Sequence, residues 1–189
     1  MKHIEVEVKY SLPDPAVLVQ RLTELDAVPL GEHRQVDTYF NAPGRDFLAA
    51  EIVSEWLRIR TETGHGTPSR TSVNFKRWLP LGSPEPTHCD EFESAVSDVD
   101  AVRKLLEALG CTEMIIVDKI RREWRLGDVI VAVDTVASLG SFIELEYAGD
   151  ALTVDDAAQA LEASLDKIGV ELGTRHRRGY PHMLLDRER

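Results

Sequence analysis

Strict alternation of ionic and apolar side chains is the feature that most constrains this chain. In Ile4-Glu5-Val6-Glu7-Val8-Lys9-Tyr10 the charged residues fall on every second position. As a β-strand, the stretch places Glu5, Glu7 and Lys9 on one face and Ile4, Val6, Val8 and Tyr10 on the other. The pattern returns in Leu57-Arg58-Ile59-Arg60, Val73-Asn74-Phe75-Lys76, Glu91-Phe92-Glu93 and Ile143-Glu144-Leu145-Glu146-Tyr147. Lys119-Ile120-Arg121 runs on through Glu123 and Arg125, and Val129-Ile130-Val131-Ala132-Val133-Asp134 closes on one acid. One such strand is satisfied as an edge with a solvated face. Arginine pairs and glutamate pairs in so many strands call for a closed or cupped sheet with an ionic interior.

Composition sets the bounds. At 189 residues and 43% hydrophobic, the chain can bury one sizeable core. Its net charge of −11 argues against a nucleic-acid partner held on a broad basic surface. No stretch reaches the length of a membrane span, and Met1-Lys2-His3 leads straight into a charged strand, so a cytoplasmic location is expected. Cys89 and Cys111 lack CxxC spacing, which implies neither a zinc site nor a disulfide framework. His3, His33, His65, His88, His176 and His182 show no HExxH pairing and read as surface or loop residues. Without a GxxxxGK or GxGxxG loop, any bound phosphate must be held by side chains.

Three helices punctuate the strands. Asp14 is placed to cap the first, with Pro15 at its first position and Val17, Leu18, Leu22 and Leu25 near helical spacing. A second runs from about Asp100 to Leu109 and closes on Gly110. The third opens at Thr153 with Asp156 as an acidic capping-box partner, carries Ala157, Ala160, Leu161, Leu165 and Ile168 as its apolar stripe, and ends at Gly169. Gln35 to Phe40 reads as a further strand, stopped by Asn41-Ala42-Pro43-Gly44. In the loop beyond, Arg45 and Asp46 are expected to pair with each other. Glu62 to Ser72 and Leu79 to His88 read as mobile connections, and Thr174 to Tyr180 as a basic tail that is either solvated or closes over an ionic pocket. Glu91 and Glu93 stand 86 positions after Glu5 and Glu7, and the second helix stands 86 after the first. The chain is accordingly read as one domain, 1–189, of two similar halves, about 1–88 and 89–189.

A pocket of interleaved acids and bases limits its ligand. Like charges ~4 Å apart repel by roughly 4 kcal/mol at an effective dielectric near 20, so facing carboxylates need cations between them. Carboxylate oxygens suit Mg²⁺ or Mn²⁺, and clustered Lys and Arg groups want a dense anion. A metal-chelated di- or triphosphate satisfies both halves.

Glu5-x-Glu7-x-Lys9 resembles the signature of the CYTH superfamily, the triphosphate tunnel metalloenzymes. The likeness continues through Asp37-Thr38-Tyr39-Phe40, Arg45-Asp46-Phe47, Arg58-x-Arg60, Lys76, Glu91-x-Glu93, Lys119-x-Arg121 and Gly140-x-Phe142-x-Glu144-x-Glu146. The DTYF, RDF and Leu-Gly-Ser-Phe runs resemble the class IV adenylyl cyclase branch. The resemblance implies an α+β fold: an antiparallel eight-stranded β-tunnel, closed or cupped, with a charged interior and helices outside. It implies that Glu5, Glu7, Glu144 and Glu146, with Asp134, hold Mg²⁺ or Mn²⁺. It gives Lys9, Arg58, Arg60, Lys76, Lys119 and Arg121 to the phosphates, with Arg178 a further phosphate contact. Glu5, Glu7, Lys9, Lys76, Lys119 and Arg121 form the expected catalytic set, with Glu91, Glu93, Asp37 and Arg45 in a second rank. The family often carries an Arg-Ser-Tyr-like element near the C-terminus, and Arg178-Gly179-Tyr180 is the nearest match.

The implied activity is a metal-dependent conversion of ATP to cyclic AMP and pyrophosphate. The alternatives are hydrolysis of a nucleoside triphosphate, thiamine triphosphate or inorganic tripolyphosphate, and binding of polyphosphate or nucleotide without turnover. The expected partner is a triphosphate ligand, with no nucleic acid and no membrane, and a homodimer stays open.

Overall fold

The structure, a computed structural model, describes residues 4–47, 54–64, 66, 68–83, 88–150 and 153–188, with the backbone alone at 4, 5, 88 and 188. The first half runs β1 (Ile4–Glu5), β2 (Glu7–Ser11), α1 (Pro15–Glu24), β3 (Val28–Asn41), β4 (Glu55–Gly64) and β5 (Arg70–Leu79). The second runs β6 (His88–Ala95), α2 (Val99–Ala108), β7 (Thr112–Leu126), β8 (Val129–Val136), β9 (Gly140–Tyr147), α3 (Val154–Ile168), β10 (Arg175–His176) and α4 (Tyr180–Glu188). This is the expected α+β fold on an antiparallel sheet. Eight strands have five residues or more, and β1 and β10 have two residues each. No helix among the described residues is long and apolar enough to cross a membrane.

The chain divides into two compact units, one built mainly from Arg34–Asp118 with Arg178–Arg189, the other from Glu5–His33 with Lys119–Arg177. In the first the strand order is β6-β5-β4-β3, and in the second β7-β8-β9-β2-β10. Each described pair is antiparallel.

The second unit buries the apolar sides of its strands against α1 and α3. Val131, Val133, Ile143 and Leu145 pack with Leu18 and Leu22 of α1 and with Ala157, Leu161 and Ile168 of α3. Each such aliphatic side chain contributes about 1.5–3 kcal/mol when fully buried. α1 begins where expected: the Asp14 carboxylate accepts from the backbone N–H groups of Ala16 (3.0 Å) and Val17 (3.2 Å), with Pro15 at the first position. Its last-turn Arg21 donates to the carbonyls of Ile168 and Lys167, both at 3.1 Å, which satisfies C-terminal acceptors of α3. The reciprocal Thr153–Asp156 cap and left-handed Gly169 bound α3 as its sequence requires.

The first unit has a smaller core, in which Phe40, Ile59 and Leu106 meet Leu57, Val73, Val99, Val102 and Cys111. α2 starts one residue earlier than expected because Asp98 is its cap, accepting from Ala101 N–H at 2.9 Å.

Two segments read as irregular are regular. The expected connection Glu62 to Ser72 is largely strand, since Thr61 pairs with Thr71 and Glu62 with Arg70. The expected basic tail contains β10 and leads into α4, whose nine residues take in Met183-Leu184-Leu185. Gly and Pro punctuation at 64–68 hid the first, and a run of four basic side chains masked the second. His3, Glu51, His65, Pro84 and Pro86 lie outside the described residues.

Candidate functional site

Strand register gathers the second unit's ionic residues on one face. Arg121 of β7 pairs with Asp134 of β8, and Asp134 with Phe142 of β9. Glu144 stands between Ala132 of β8 and Lys9 of β2, whose outer neighbour is His176 of β10. Glu146 is opposite Glu7. The intervening residues of the same strands form the core against α1 and α3. Alternation thus yields a dry side and an ionic side from one set of strands.

On that ionic side the charges interlock. Lys119 Nζ lies 2.7 Å from Asp134 Oδ2, while Arg121 donates from Nε to Oδ1 (2.7 Å) and from Nη2 to Oδ2 (2.6 Å). Arg121 Nη2 also donates to Glu144, which Lys9 Nζ meets at 3.2 Å. Asp134 is fully buried, and Lys119 and Lys9 are buried beside it. Burial by itself would raise the Glu144 carboxyl, but Arg121, Lys9 and Lys119 outweigh it and hold the group well below the usual carboxylate range. Asp134 is lowered in the same way: burial raises it, and Arg121 and Lys119 prevail. Lys9, Lys119 and Arg121 thus surround the ionised Asp134 and Glu144, and Arg121 also lies 3.8 Å from Glu123.

The first unit repeats the arrangement with the charges exchanged between strands. Here the buried acid, Asp37, is on the long strand β3, and the bases are on β4. Arg60 grips Asp37 through Nε and Nη2, each at 2.7 Å, and Arg58 Nη1 reaches Asp37 Oδ2 at 3.1 Å and the Tyr39 hydroxyl at 3.3 Å. Arg58 Nε donates to Asn74 Oδ1 at 2.9 Å. Glu91 accepts from Asn74 and meets Lys76 Nζ at 3.4 Å and Arg58 at 3.8 Å. Glu93 is 3.5 Å from Asn74 Nδ2. Burial lowers the affinity of Arg58 for its proton, but Asp37, Tyr39 and Glu91 raise it further, so the guanidinium is permanently charged. Gln35 extends the row to Glu62 at 2.6 Å.

Each unit thus brings together most of its expected site residues: Lys9, Lys119, Arg121, Asp134 and Glu144 in one, and Asp37, Arg58, Arg60, Lys76, Glu91 and Glu93 in the other. Two lie elsewhere. Arg45 donates to Glu55 and covers the Phe47 ring at 4.9 Å. Glu55 alternates with Trp56 and Arg58, so this pair is on the opposite side of β4 from Arg58. The neighbouring Asp46 accepts from Asn41 Nδ2 at 2.8 Å, an attachment the sequence reading did not anticipate. Arg178 Nη1 is 2.9 Å from Asp186 Oδ2 in α4. The Glu5 side chain lies outside the description.

Four participants were missed. Asn74 and Tyr39 belong to stretches quoted above but were given no role there, because a neutral residue among charged ones carries no signal of its own. Trp56, buried edge-on to Tyr39 at 5.5 Å, reads as core until the register of β4 is known. His176 sat inside a basic run and was grouped with it.

Carboxylate oxygens are the right donors for a hard divalent ion. Glu7 and Glu146 face each other directly, a like-charge pairing that costs stability unless a cation intervenes. Glu144 follows Glu146 on the same side of β9. Among the described residues no three His, Cys, Asp or Glu groups are already drawn together as a ligand set. The chemistry of Glu7, Glu144 and Glu146 fits the ion. Asp134 is engaged on both oxygens by Lys119 and Arg121.

Comparison with known proteins bears on these clusters. The CYTH domain family matches residues 3–180. A Methanocaldococcus jannaschii protein, named as a proposed adenylate cyclase, is 32% identical over 148 residues, 76% of each chain. A solved protein of Pyrococcus horikoshii OT3 superposes with a TM-score of 0.82 at 29% identity, covering 97% of this chain and 99% of the other. A Hippeastrum protein, proposed as an adenylyl cyclase and described with a dominant triphosphatase activity, shares the fold at 16% identity, with a TM-score of 0.63 over 100% of this chain and 96% of its own.

Proposed function

The chain belongs to the CYTH domain family, and from that premise we propose that it is a divalent-metal-dependent enzyme acting on a triphosphate, with ATP converted to cyclic AMP and pyrophosphate. The observation that supports the reading is the gathering of basic groups among carboxylates on one face of each unit, Lys9, Lys119 and Arg121 in one and Arg58, Arg60 and Lys76 in the other. The family match over residues 3–180 supports treating 1–189 as a single domain, and the 86-position spacing of Glu5 and Glu7 from Glu91 and Glu93 is the ground for reading two similar halves, about 1–88 and 89–189. The 32% identical relative supports the cyclase version over hydrolysis.

In this reading Lys9, Lys119 and Arg121 grip phosphate oxygens and neutralise the charge that develops as the ribose 3′-oxygen bonds to the α-phosphorus and pyrophosphate leaves, and Arg58, Arg60 and Lys76 are the phosphate-binding groups of their own unit. Asp37 and Asp134 hold guanidinium and ammonium groups in fixed positions, so little reorganisation is needed when substrate arrives. Glu7, Glu144 and Glu146, with Glu5, would hold Mg²⁺ or Mn²⁺. Such an ion, when bound, supplies further charge neutralisation at the phosphate oxygens.

Product analysis after incubation with ATP and Mg²⁺ or Mn²⁺ tests the proposal. Cyclic AMP with pyrophosphate is the expected result. ADP with phosphate would move the assignment to triphosphate hydrolysis. If neither product forms, and tripolyphosphate with Mg²⁺ leaves the melting midpoint unmoved, the enzyme reading is wrong, since a ligand bound only to the folded state must raise the midpoint.

A further inference from the structure

His176 occupies a place in the ionic face that none of the readings above uses. It lies on β10, beside Lys9 of β2, in the same cross-strand row as Glu144. Its Nε2 is 2.7 Å from the Ser11 hydroxyl, and its ring meets Phe142 of β9 edge-on, with centroids 5.5 Å apart. Two contacts on two strands therefore fix the imidazole against a surface otherwise made of permanent cations and ion-paired acids.

That surface lacks an obvious proton acceptor among the groups whose partners are described. Lys9, Lys119 and Arg121 enter as cations. The carboxylates of Asp134 and Glu144 are held by those cations and have little appetite for a proton. His33 lies 4.0 Å from the Glu123 carboxylate, whereas His176 has a cation beside it. The charged group facing it is Lys9 of β2; Ser11 and Phe142 are neutral, and Arg175, its neighbour on β10, points by alternation to the other side. Burial, and then Lys9, depress the imidazole below its ordinary range, so it stands neutral at physiological pH, and in the tautomer that donates Nε2–H to the Ser11 hydroxyl the lone pair is on Nδ1.

We propose that His176 is the proton acceptor for the oxygen nucleophile at this site. The inference rests on the triphosphate reading and deepens it. As the nucleophile's oxygen bonds to phosphorus and the bond from phosphorus to the leaving phosphate oxygen breaks, the nucleophile's proton passes to the unprotonated ring nitrogen. The imidazolium so formed sits beside the departing polyanion, which offsets the repulsion from Lys9. After product release, that same repulsion drives the proton back to solvent. The cycle passes the nucleophile's own proton through the imidazole to solvent and needs no other reactant.

The test is the pH profile of kcat/KM, measured with Mg²⁺ on the wild-type chain, on His176→Gln and on His176→Ala. In the wild type, activity falls as the pH drops through the histidine range. In both variants the rate at neutral pH falls about 100-fold or more and the acid limb disappears. Added imidazole restores part of the rate to His176→Ala, while the shift in melting midpoint caused by tripolyphosphate survives in both. A variant that keeps the wild-type rate and acid limb overturns the inference and leaves the triphosphate reading standing. So does a loss of rate with the acid limb intact and no imidazole rescue, because that is what a purely structural histidine gives. A wild-type chain that turns over no triphosphate removes both.

Discussion

Arg121 holds Asp134 in a two-point grip across directly opposed positions of β7 and β8, with Nε to Oδ1 at 2.7 Å and Nη2 to Oδ2 at 2.6 Å. The same carboxylate takes Lys119, so one fully buried acid neutralises part of two cations. Bidentate geometry uses the planar fork of the guanidinium, which an ammonium cannot supply. Removing the acid strands both partners in a low-dielectric site. Asp134→Asn is therefore expected to destabilise the protein by about 3–5 kcal/mol, read as a lower urea midpoint at unchanged slope. A loss below about 1 kcal/mol, the size of an exposed pair, would show that water reaches this cluster.

The depressed Asp134 and Glu144 carboxyls also make stability depend on pH, in a direction that can be worked out. A carboxyl whose folded pKa lies below its unfolded one contributes stability that is complete above the unfolded value, near ~4. That contribution drains away as the pH falls through the folded value. Unfolding free energy should decline gently below about pH 6.5, where the depressed His176 contributes, and drop steeply below about pH 4, with Asp134→Asn showing a shallower drop in the acid range. Urea unfolding at a series of pH values measures this, and a level curve down to about pH 3 would contradict the ion-pair account.

Much of this was legible in the sequence, for a definite reason. Period-two alternation in Glu7-x-Lys9, Lys119-x-Arg121 and Glu144-x-Glu146 specifies which residues share a face, and the caps at Asp14 and Thr153 specify where helices begin. What alternation does not contain is the partner across the strand. That Arg60 meets Asp37 and not Glu91, or that Glu146 faces Glu7, follows from register, which is set by turns and core packing far from these residues. His176 shows the same gap. Its neighbours in sequence are basic, and its working neighbours, Ser11 and Phe142, are supplied by β2 and β9.

Glu146 stands directly opposite Glu7 in the register of β9 and β2, and its proposed ligand role has a direct test. Glu146→Gln removes a carboxylate oxygen, so turnover and the Mg²⁺-dependent rise in melting midpoint should both be lost. Melting curves with and without Mg²⁺, taken beside an activity assay, check the two together. A variant that keeps both would assign Glu146 to structure alone.

Gly179 takes the middle place of Arg178-Gly179-Tyr180, and the neighbouring Trp56 gives its lack of a side chain a physical reason. A Cβ at position 179 would lie 3.1 Å from Trp56 Cζ2 and 3.4 Å from Pro181 Cδ, closer than the ring can accept without moving. Trp56 is buried and meets Tyr39 edge-on, and the Tyr39 hydroxyl accepts from Arg58. A serine would therefore push on an aromatic pair that positions a proposed phosphate-binding guanidinium. Gly179→Ser is expected to cost about 1–3 kcal/mol, the usual penalty for overpacking, and to lower turnover instead of restoring a missing contact. Combining it with Trp56→Phe opens space for the new side chain, so the double variant should lose less stability than the two single changes added together. Urea unfolding of all four chains gives the coupling directly. Simple additivity would mean that Trp56 does not set the residue at position 179, and a rise in turnover in Gly179→Ser would assign the hydroxyl a part in catalysis.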